Sequence, residues 1–477
     1  MEHKKVRTRF APSPTGYMHV GGVRTALFAW LVARQNKGEF ILRLEDTDKT
    51  REVEGSGDHI IKSLKWLGID WDEGFDKAGK YGSYKQSDRL DTYKKWANKL
   101  IEAGRAYADP YSPEEVQSFR EQAIEDKKPF LYRNFRPENP PKWDGTQPLR
   151  FKSDPKNYTW HDEVMGELQT GPEVIDDFIL IKSDGFPTYN FAHIVDDAEM
   201  EITHIIRSQE FLASVPNYLN LYEALGLTPP VLATVPPVLG PTGSKKLSKR
   251  DGAKDILEYQ KEGYLPEALI NFLASLGWND GTEQEIFTIS ELIEKFHLNQ
   301  IQKSGARFDE QRLLWMNGAH IRMLDVNDLY DRSKSYYPES SKQYPEDYKK
   351  KVLALLQERL KYFAEIPILS AFFFEDLPVD ASLIENNKQL KKFSKDELKT
   401  MLEQTNSKLE NAVFETENLT KILNELLEET NQKPGVLFSL IRIATTQAPA
   451  SPALAETLAL LGKDVVMRRL KQQLSHF

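Results

Sequence analysis

Val6-Arg-Thr-Arg-Phe10-Ala-Pro-Ser-Pro-Thr-Gly16-Tyr-Met-His19-Val-Gly-Gly22 is the stretch on which the architecture turns. Val6–Ala11 is a short run of strand length, and beyond the loop Val23, Leu27, Trp30 and Leu31 fall at i, i+4, i+7 and i+8, one face of a helix. Glu39–Leu44 reads as a second strand, so the three make a βαβ unit of a parallel sheet. Such sheets bind ligands at the carboxyl ends of their strands, which here is the loop 10–22. Pro12 and Pro14 stiffen it, while Gly21 and Gly22 leave room for a ligand at the helix start. The unpaired N–H groups of that start favour phosphate, and Thr15 and His19 add donors. His19 taken alone reads as a structural histidine; its neighbours make it a candidate ligand group.

Outward from this unit the pattern weakens between about Ala108 and Trp160, where Asp-Pro, Ser-Pro, Arg-Pro, Asn-Pro-Pro and Asp-Gly pairs predict a loop-rich insertion. Asp177–Lys182 and Glu201–Arg207 read as strands able to complete the first sheet. After about Asn317 the chain turns helical, with apolar stripes such as Val352, Leu353, Leu356, Leu360, Phe363 and Leu419, Ile422, Leu423, Leu426, Leu427. The 477 residues suffice for about three domains. With no cysteine, disulfides, thiolate zinc sites, iron–sulfur clusters and a cysteine nucleophile are excluded. The net charge of −9 argues against wholesale nonspecific nucleic-acid binding but leaves local basic faces open. No apolar stretch reaches membrane-spanning length, and a soluble cytoplasmic protein is the expectation.

A second cluster, Val238-Leu-Gly-Pro-Thr-Gly-Ser-Lys-Lys-Leu-Ser-Lys-Arg-Asp-Gly-Ala253, gathers Lys245, Lys246, Lys249 and Arg250 among turn-forming residues. Cations on such a loop can clamp a polyphosphate, although the spacing is not that of a P-loop.

Together the clusters resemble the HIGH and KMSKS signatures of class I aminoacyl-tRNA synthetases, standing here as His19-Val-Gly-Gly22 and Lys246-Leu-Ser-Lys-Arg250. Arg43-Leu-Glu-Asp-Thr-Asp48, Lys65-Trp-Leu-Gly-Ile69, Asp184-Gly-Phe-Pro-Thr-Tyr189, Val195-Asp-Asp197 and Leu314-Trp-Met-Asn-Gly318 narrow the resemblance to the glutamyl-tRNA synthetase family of bacterial type. It implies an α/β Rossmann-like nucleotide-binding domain split by an inserted domain and followed by an all-α anticodon-binding region. The implied boundaries are 1–107 and 186–250 for the catalytic halves, 108–185 for an acceptor-end-binding insert, 251–320 for a stem-contact domain and 321–477 for the anticodon-binding domain.

The resemblance implies a glutamate–tRNA ligase: ATP and L-glutamate give glutamyl-adenylate, and the glutamyl group passes to the 3′ end of tRNA(Glu), with tRNA(Gln) a second partner if the enzyme is non-discriminating. Its implied catalytic residues are His19, Lys249 and, more weakly, Lys246. Thr15, His19, Gly21, Gly22, Glu210, Phe211, Leu239 and Lys249 would hold ATP, accompanied by Mg²⁺; no zinc and no side-chain metal site are expected. Arg9, Ala11, Ser13, Glu45, Tyr189, His193 and Arg207 would hold glutamate, Glu45 accepting the ammonium and Arg207 selecting the side-chain carboxylate. The plainer roles are capping and ion pairing for Glu45 and Asp48, with Arg9 and Arg207 as partners of those acids. In the tail, Arg359, Arg442, Arg468 and Arg469 are candidates for anticodon or phosphate contact, and a monomer is expected.

Three positions depart from the family pattern. Gly22 replaces the second signature histidine, His193 stands where Asn or Val is usual, and Ser208-Gln-Glu-Phe211 replaces a Gly-Glu-Asp-His-like run. Two other readings compete: a nucleotidyltransferase that does not charge tRNA, which would need neither the Arg9, Glu45, Tyr189, Arg207 set nor the tail, and a silent tRNA-binding paralogue, which would have lost His19 or the basic loop.

Overall fold

Arg7–Phe10 forms β1, Val20–Gln35 α1 and Glu39–Leu42 β2, with β1 and β2 parallel and in register from Arg7↔Glu39 to Phe10↔Leu42. Ser56–Trp66 (α2) and the short Glu73–Gly74 (β3) extend this sheet. Leu90–Glu102 (α3) leads to Ala106–Ala108 (β4), and Pro113–Glu125 (α4) starts at a capping box, Ser112 accepting from Glu115 N–H while Glu115 accepts from Ser112 N–H. Leu149–Phe151 (β5), Tyr158–Asp162 (β6), Gly166–Thr170 (β7) and Ile179–Ile181 (β8) follow. Then come Tyr189–Glu199 (α5), His204–Ser208 (β9), Val215–Ala224 (α6), Val231–Val235 (β10) and Val238–Leu239 (β11).

β9 and β10 run parallel from Val231↔His204 to Val235↔Ser208. Thr203 N–H donates to Arg7 O at 2.9 Å and Val231 N–H to Thr203 O at 2.9 Å, so β9 sits between β1 and β10. The two halves of the nucleotide-binding layer thus meet across the insertion.

Two assignments within the insertion differ from the sequence reading. Ile179–Ile181 does not complete the first sheet; β4, β5 and β8 form a separate antiparallel sheet. A short apolar run satisfies any sheet that buries it, so its composition could not select the partner. The β6–β7 hairpin, which starts where the stretch read as loop-rich ends and was not foreseen, pairs with β10 of the core through Asp162↔Leu232.

After the second basic cluster the chain forms Ile256–Glu262 (α7), Pro266–Ser275 (α8), Ile289–Lys295 (α9) and Ala306–Arg307 (β12), the last parallel to β11. α8 and α9 cover the face of α1 turned away from the sheet. This is why α1 is apolar nearly all round and buried from Val23 to Ala33 except at Thr25.

The computed structural model describes residues 5–247 and 254–477. It divides into two units, Met1–Gln260 with Pro266–Glu310, and Lys261–Leu265 with Gln311–Phe477. Among the described residues the second unit carries helices and no strand: α10 (Glu310–Met323, starting one residue earlier), α11 (Val326–Ser333), α12 (Glu346–Leu356), α13 (Ile366–Phe374), α14 (Ser382–Glu385), α15 (Lys395–Glu410), α16 (Thr416–Thr430), α17 (Pro434–Thr446), α18 (Leu454–Leu461) and α19 (Lys463–Leu474). Leu398, Met401, Leu402, Thr405 and Leu409 make a buried stripe on α15 at helical spacing, facing α19. α12 ends at Leu356, short of the predicted stripe, so Leu360 and Phe363 are buried from a turn and a 3₁₀ segment. No helix of the described residues is long and apolar enough to cross a membrane.

Candidate active site

A cleft of about 460 Å³ opens at the carboxyl ends of β1 and β9. Its wall brings together Arg9, Ala11, Ser13, Thr15, His19, Gly21, Gly22, Glu45, Tyr189, Arg207, Glu210, Phe211 and Lys246, thirteen of the residues singled out from sequence. Lys249 lies outside the described residues. His193 and Leu239 do not line the cleft. Leu239 is held in β11, where its carbonyl accepts from Phe308 N–H at 2.9 Å.

His19 is the N-cap of α1: its backbone is extended, and Nδ1 accepts from Gly22 N–H at 3.4 Å. With Nδ1 accepting, Nε2 is the ring nitrogen left to donate, at the positive end of a sixteen-residue helix. An anion approaching this helix meets its first-turn N–H groups, with Thr15 in the same wall. Lys246 donates to Glu210 at 3.2 Å; both side chains are more than half exposed, so the pair is weak and readily exchanged.

Beneath the other end of the cleft lies a buried charge network. Arg9 holds Asp197 through Nε at 3.1 Å and Nη2 at 3.3 Å. Arg43, fully buried, donates to Asp197 at 2.8 Å and to Glu45 at 2.9 Å. Asp196 accepts from Arg89 Nε, Gln86 Nε2 and Tyr93 Oη, each at 2.8 Å. Burial pushes the Asp197 carboxyl up, but Arg9 and Arg43 outweigh it and hold the group far below the usual carboxylate range. Glu45 is raised, because burial outweighs Arg43 and Arg9. Three guanidiniums therefore face three carboxylates, and the network closes on itself. Arg9 pairs with Asp197 rather than with Glu45 or Asp48, and Asp48 caps the turn at Thr50 and pairs with Arg51.

Arg207 is different. It is only 7% exposed, stands 4.8 Å over the Tyr218 ring and 5.6 Å from that of Phe211, and among the described residues it has no carboxylate partner. Its Nη1 is buried without a hydrogen-bond partner. Tyr189 stacks between Phe211, at 5.1 Å, and His193, at 4.8 Å. His193 supports Tyr189 from behind: Nδ1–H donates to Tyr189 O at 2.7 Å, and burial, with Arg207 nearby, lowers the imidazole to about 3. It adds no charge to the cleft.

Sequence reasoning gave no role to Arg24, Arg43, Asp197 or Tyr218. Arg24 carried a signal, a lone cation on a helix apolar all round. It is buried, lines the cleft and donates to Leu276 O at 2.8 Å and to Pro236 O, and burial lowers it to about 10.

In the helical unit, Arg468 and Arg469 both bind Asp376. Arg469 also donates to Thr445 O and Glu375 O, each at 2.8 Å, so all three of its nitrogens are engaged inside the fold rather than offered to a phosphate. Arg359 sits in the turn after α12, not on a helix. It lies close enough to Arg442 to join burial in lowering that guanidinium, whose Nε donates to Ser451 Oγ at 2.9 Å.

A split parallel sheet with a helix N-terminus and Lys246 at its strand ends, beside a buried charge network and, among the described residues, two buried guanidiniums without a carboxylate partner, Arg207 and the carbonyl-bound Arg24, has the features of a nucleotide-dependent enzyme acting on a small acidic molecule. Residues 5–315 match the description "tRNA synthetases class I (E and Q), catalytic domain", and residues 328–474 match "Anticodon binding domain". A glutamate–tRNA ligase of Dehalococcoides mccartyi is 42% identical over 98% of this chain and 96% of its own, and a second, from Caldicellulosiruptor saccharolyticus, is 39% identical over 99% of each. The crystal structure of a glutamate tRNA ligase from Elizabethkingia meningosepticum, in complex with its amino acid, superposes with a TM-score of 0.88 at 31% identity, covering 99% of both chains. The chain belongs to the class I aminoacyl-tRNA synthetases of the glutamate and glutamine family, and is an aminoacyl-tRNA ligase of an ATP-using class.

Proposed function

We propose that this chain is a glutamate–tRNA ligase, joining L-glutamate to ATP and passing the glutamyl group to the 3′ end of tRNA(Glu). The observation that carries the glutamate assignment is Arg207, a buried cation whose missing counter-charge a side-chain carboxylate would supply. Glutamine, lacking that charge, would leave the guanidinium uncompensated.

In this reading Glu45 accepts the substrate ammonium, while Arg9 and Tyr189, held by Asp197 and His193, orient the carboxylates. The α-carboxylate oxygen attacks the α-phosphorus in line, and pyrophosphate leaves. Such a step needs positioning and charge neutralisation more than a protein base. The α1 N-terminus, His19 Nε2–H and Thr15 serve one side of the phosphates, with Lys246 and Lys249 on the other. Mg²⁺, where bound with ATP, would offset phosphate charge beside Thr15, His19 and Lys246; among the described residues no group of three or more His, Asp or Glu is placed to hold a metal. No zinc is invoked. Arg359 and Arg442 are proposed to meet the anticodon, and the enzyme to act as a cytoplasmic monomer.

The test is aminoacylation of tRNA(Glu) and tRNA(Gln) transcripts with labelled glutamate and, separately, glutamine. Glutamate on tRNA(Glu) alone supports a discriminating enzyme, and glutamate on both tRNAs a non-discriminating one. Glutamine charging, or none, overturns the proposal.

A further inference from the structure

Outside the groups assigned so far, one side chain touches both ATP-binding segments. His59, on α2, is nearly buried, its side chain 10% exposed. Its Nε2 lies 2.8 Å from Asp255, and its Nδ1 lies 3.3 Å from Met18 N. A backbone N–H can only donate, so Nδ1 is the acceptor and the ring proton sits on Nε2, facing the Asp255 carboxylate. The Tyr17 ring stacks on the imidazole at 4.5 Å and 21°. Met18 immediately precedes His19, the cap of α1, and Asp255 follows the second basic cluster.

The main chain repeats this link. His19 and Asp255 form an antiparallel bridge, and Ile256 N–H donates to Met18 O at 3.2 Å. Asp255 is fixed from its other side as well, its Oδ1 accepting from Leu257 N–H at 3.0 Å at the start of α7. On the opposite flank of the cluster, Leu247 N–H donates to Val238 O at 2.8 Å. The second cluster is thus anchored at both ends, and one of these anchors runs through a histidine side chain.

We infer that His59 is a positioning residue for ATP: through Met18 and Asp255 it sets the spacing between the His19 loop and the chain leaving the second basic cluster. Resting on the ligase reading above, the inference places His59 where it acts on the polyphosphate end of the cleft and not on the amino-acid end, whose groups are fixed by the separate Arg9, Arg43, Asp197 network. A purely structural histidine would not distinguish the two ends.

The experiment measures pyrophosphate exchange on the full chain with tRNA(Glu) present, titrating ATP and glutamate separately, together with calorimetric binding of a non-hydrolysable ATP analogue. His59→Ala is expected to raise the KM for ATP roughly tenfold, about the effect of losing one charge-assisted hydrogen bond. It should leave the KM for glutamate within about twofold and Tm within a few degrees. His59→Gln, which keeps an N–H donor toward Asp255, should recover part of the loss. His59→Ala/Asp255→Ala should be no worse than the more impaired single variant, as expected for one shared contact. Unchanged ATP binding in His59→Ala, or equal rises in both KM values with a lowered Tm, overturns the inference. A wild-type protein that does not activate glutamate would instead overturn the ligase reading, and analogue binding to wild type and variant would still decide the role of His59.

Discussion

Arg207→Gln separates a substrate-binding cation from a structural one. In the protein alone Arg207 is buried against Tyr218 and Phe211 with Nη1 unpaired, whereas Arg9, Arg43 and Arg89 each have a buried carboxylate. Removing one member of a buried, hydrogen-bonded charge pair costs about 2–5 kcal/mol, and a glutamine amide restores about 1 kcal/mol as a neutral donor. The net loss of about 3 kcal/mol corresponds to a fall of roughly 10²-fold in kcat/KM for glutamate. Stability should behave in the opposite sense to an ordinary buried-arginine deletion. No carboxylate is stranded, desolvation of an unmatched charge is relieved, and the lost ring contact is worth about 1–2 kcal/mol, so unfolding free energy should stay within about 1 kcal/mol of wild type. The assays are glutamate-titrated pyrophosphate exchange at saturating ATP and tRNA, and urea unfolding. A loss under about fivefold, or a destabilisation above about 3 kcal/mol, would show that the guanidinium serves the fold and that the carboxylate assignment is wrong.

Lys249→Ala should slow adenylate formation by about 10²–10³-fold with the KM for glutamate nearly unchanged, as for a group acting on charge developing in the transition state; single-turnover rates equal to wild type refute it. His193 stays neutral down to about 3 in the folded chain but protonates near 6.5 when unfolded, so stability falls as pH drops below about 6.5, by about 2 kcal/mol at about pH 5. Urea midpoints at the two ends of this range should show a shallower fall in His193→Gln, and identical slopes would exclude the histidine as the source. Arg359→Gln should raise the KM for tRNA severalfold while leaving glutamate kinetics intact, with relaxed choice between tRNA(Glu) and tRNA(Gln); unchanged tRNA kinetics would remove it from the anticodon site.

The first βαβ unit was legible because strand, loop and helix each announce themselves locally: Arg7–Phe10 and Glu39–Leu42 fall inside the predicted runs, and α1 begins at the histidine that caps it. The cleft wall was legible for a different reason, since its residues sit in long motifs whose order carries the family pattern. What failed was partner choice. Ile179–Ile181 has the composition of a core strand but lies in the antiparallel sheet of the insertion. The Tyr158–Thr170 hairpin was passed over although Tyr158 and Trp160 alternate with exposed neighbours on β6, because β6 starts inside the end of the Pro- and Gly-broken stretch and its alternation covers only a few residues. Pairing was equally hidden for the arginines. Whether a guanidinium meets a carboxylate, as Arg469 meets Asp376, or none, as with Arg207, depends on contacts far apart in sequence.

The position of β1 beside β9 has a consequence for synthesis. Arg7 waits for Met200 and Thr203, 193 and 196 residues later, and Arg9 for Asp197, 188 residues later. At about 5–20 residues per second, roughly ten to forty seconds pass on the ribosome between the emergence of β1 and that of its neighbour. Through that interval the cap of α1 can form, since His19 and Gly22 are local, and Arg7 can meet Glu39 and Glu73, but Arg7 Nε lacks the Met200 carbonyl and Arg9 lacks its acid, Asp197. β1 therefore waits with one edge paired to β2 and the other open, and its second edge is covered only after translation past Ser208, where β9 ends.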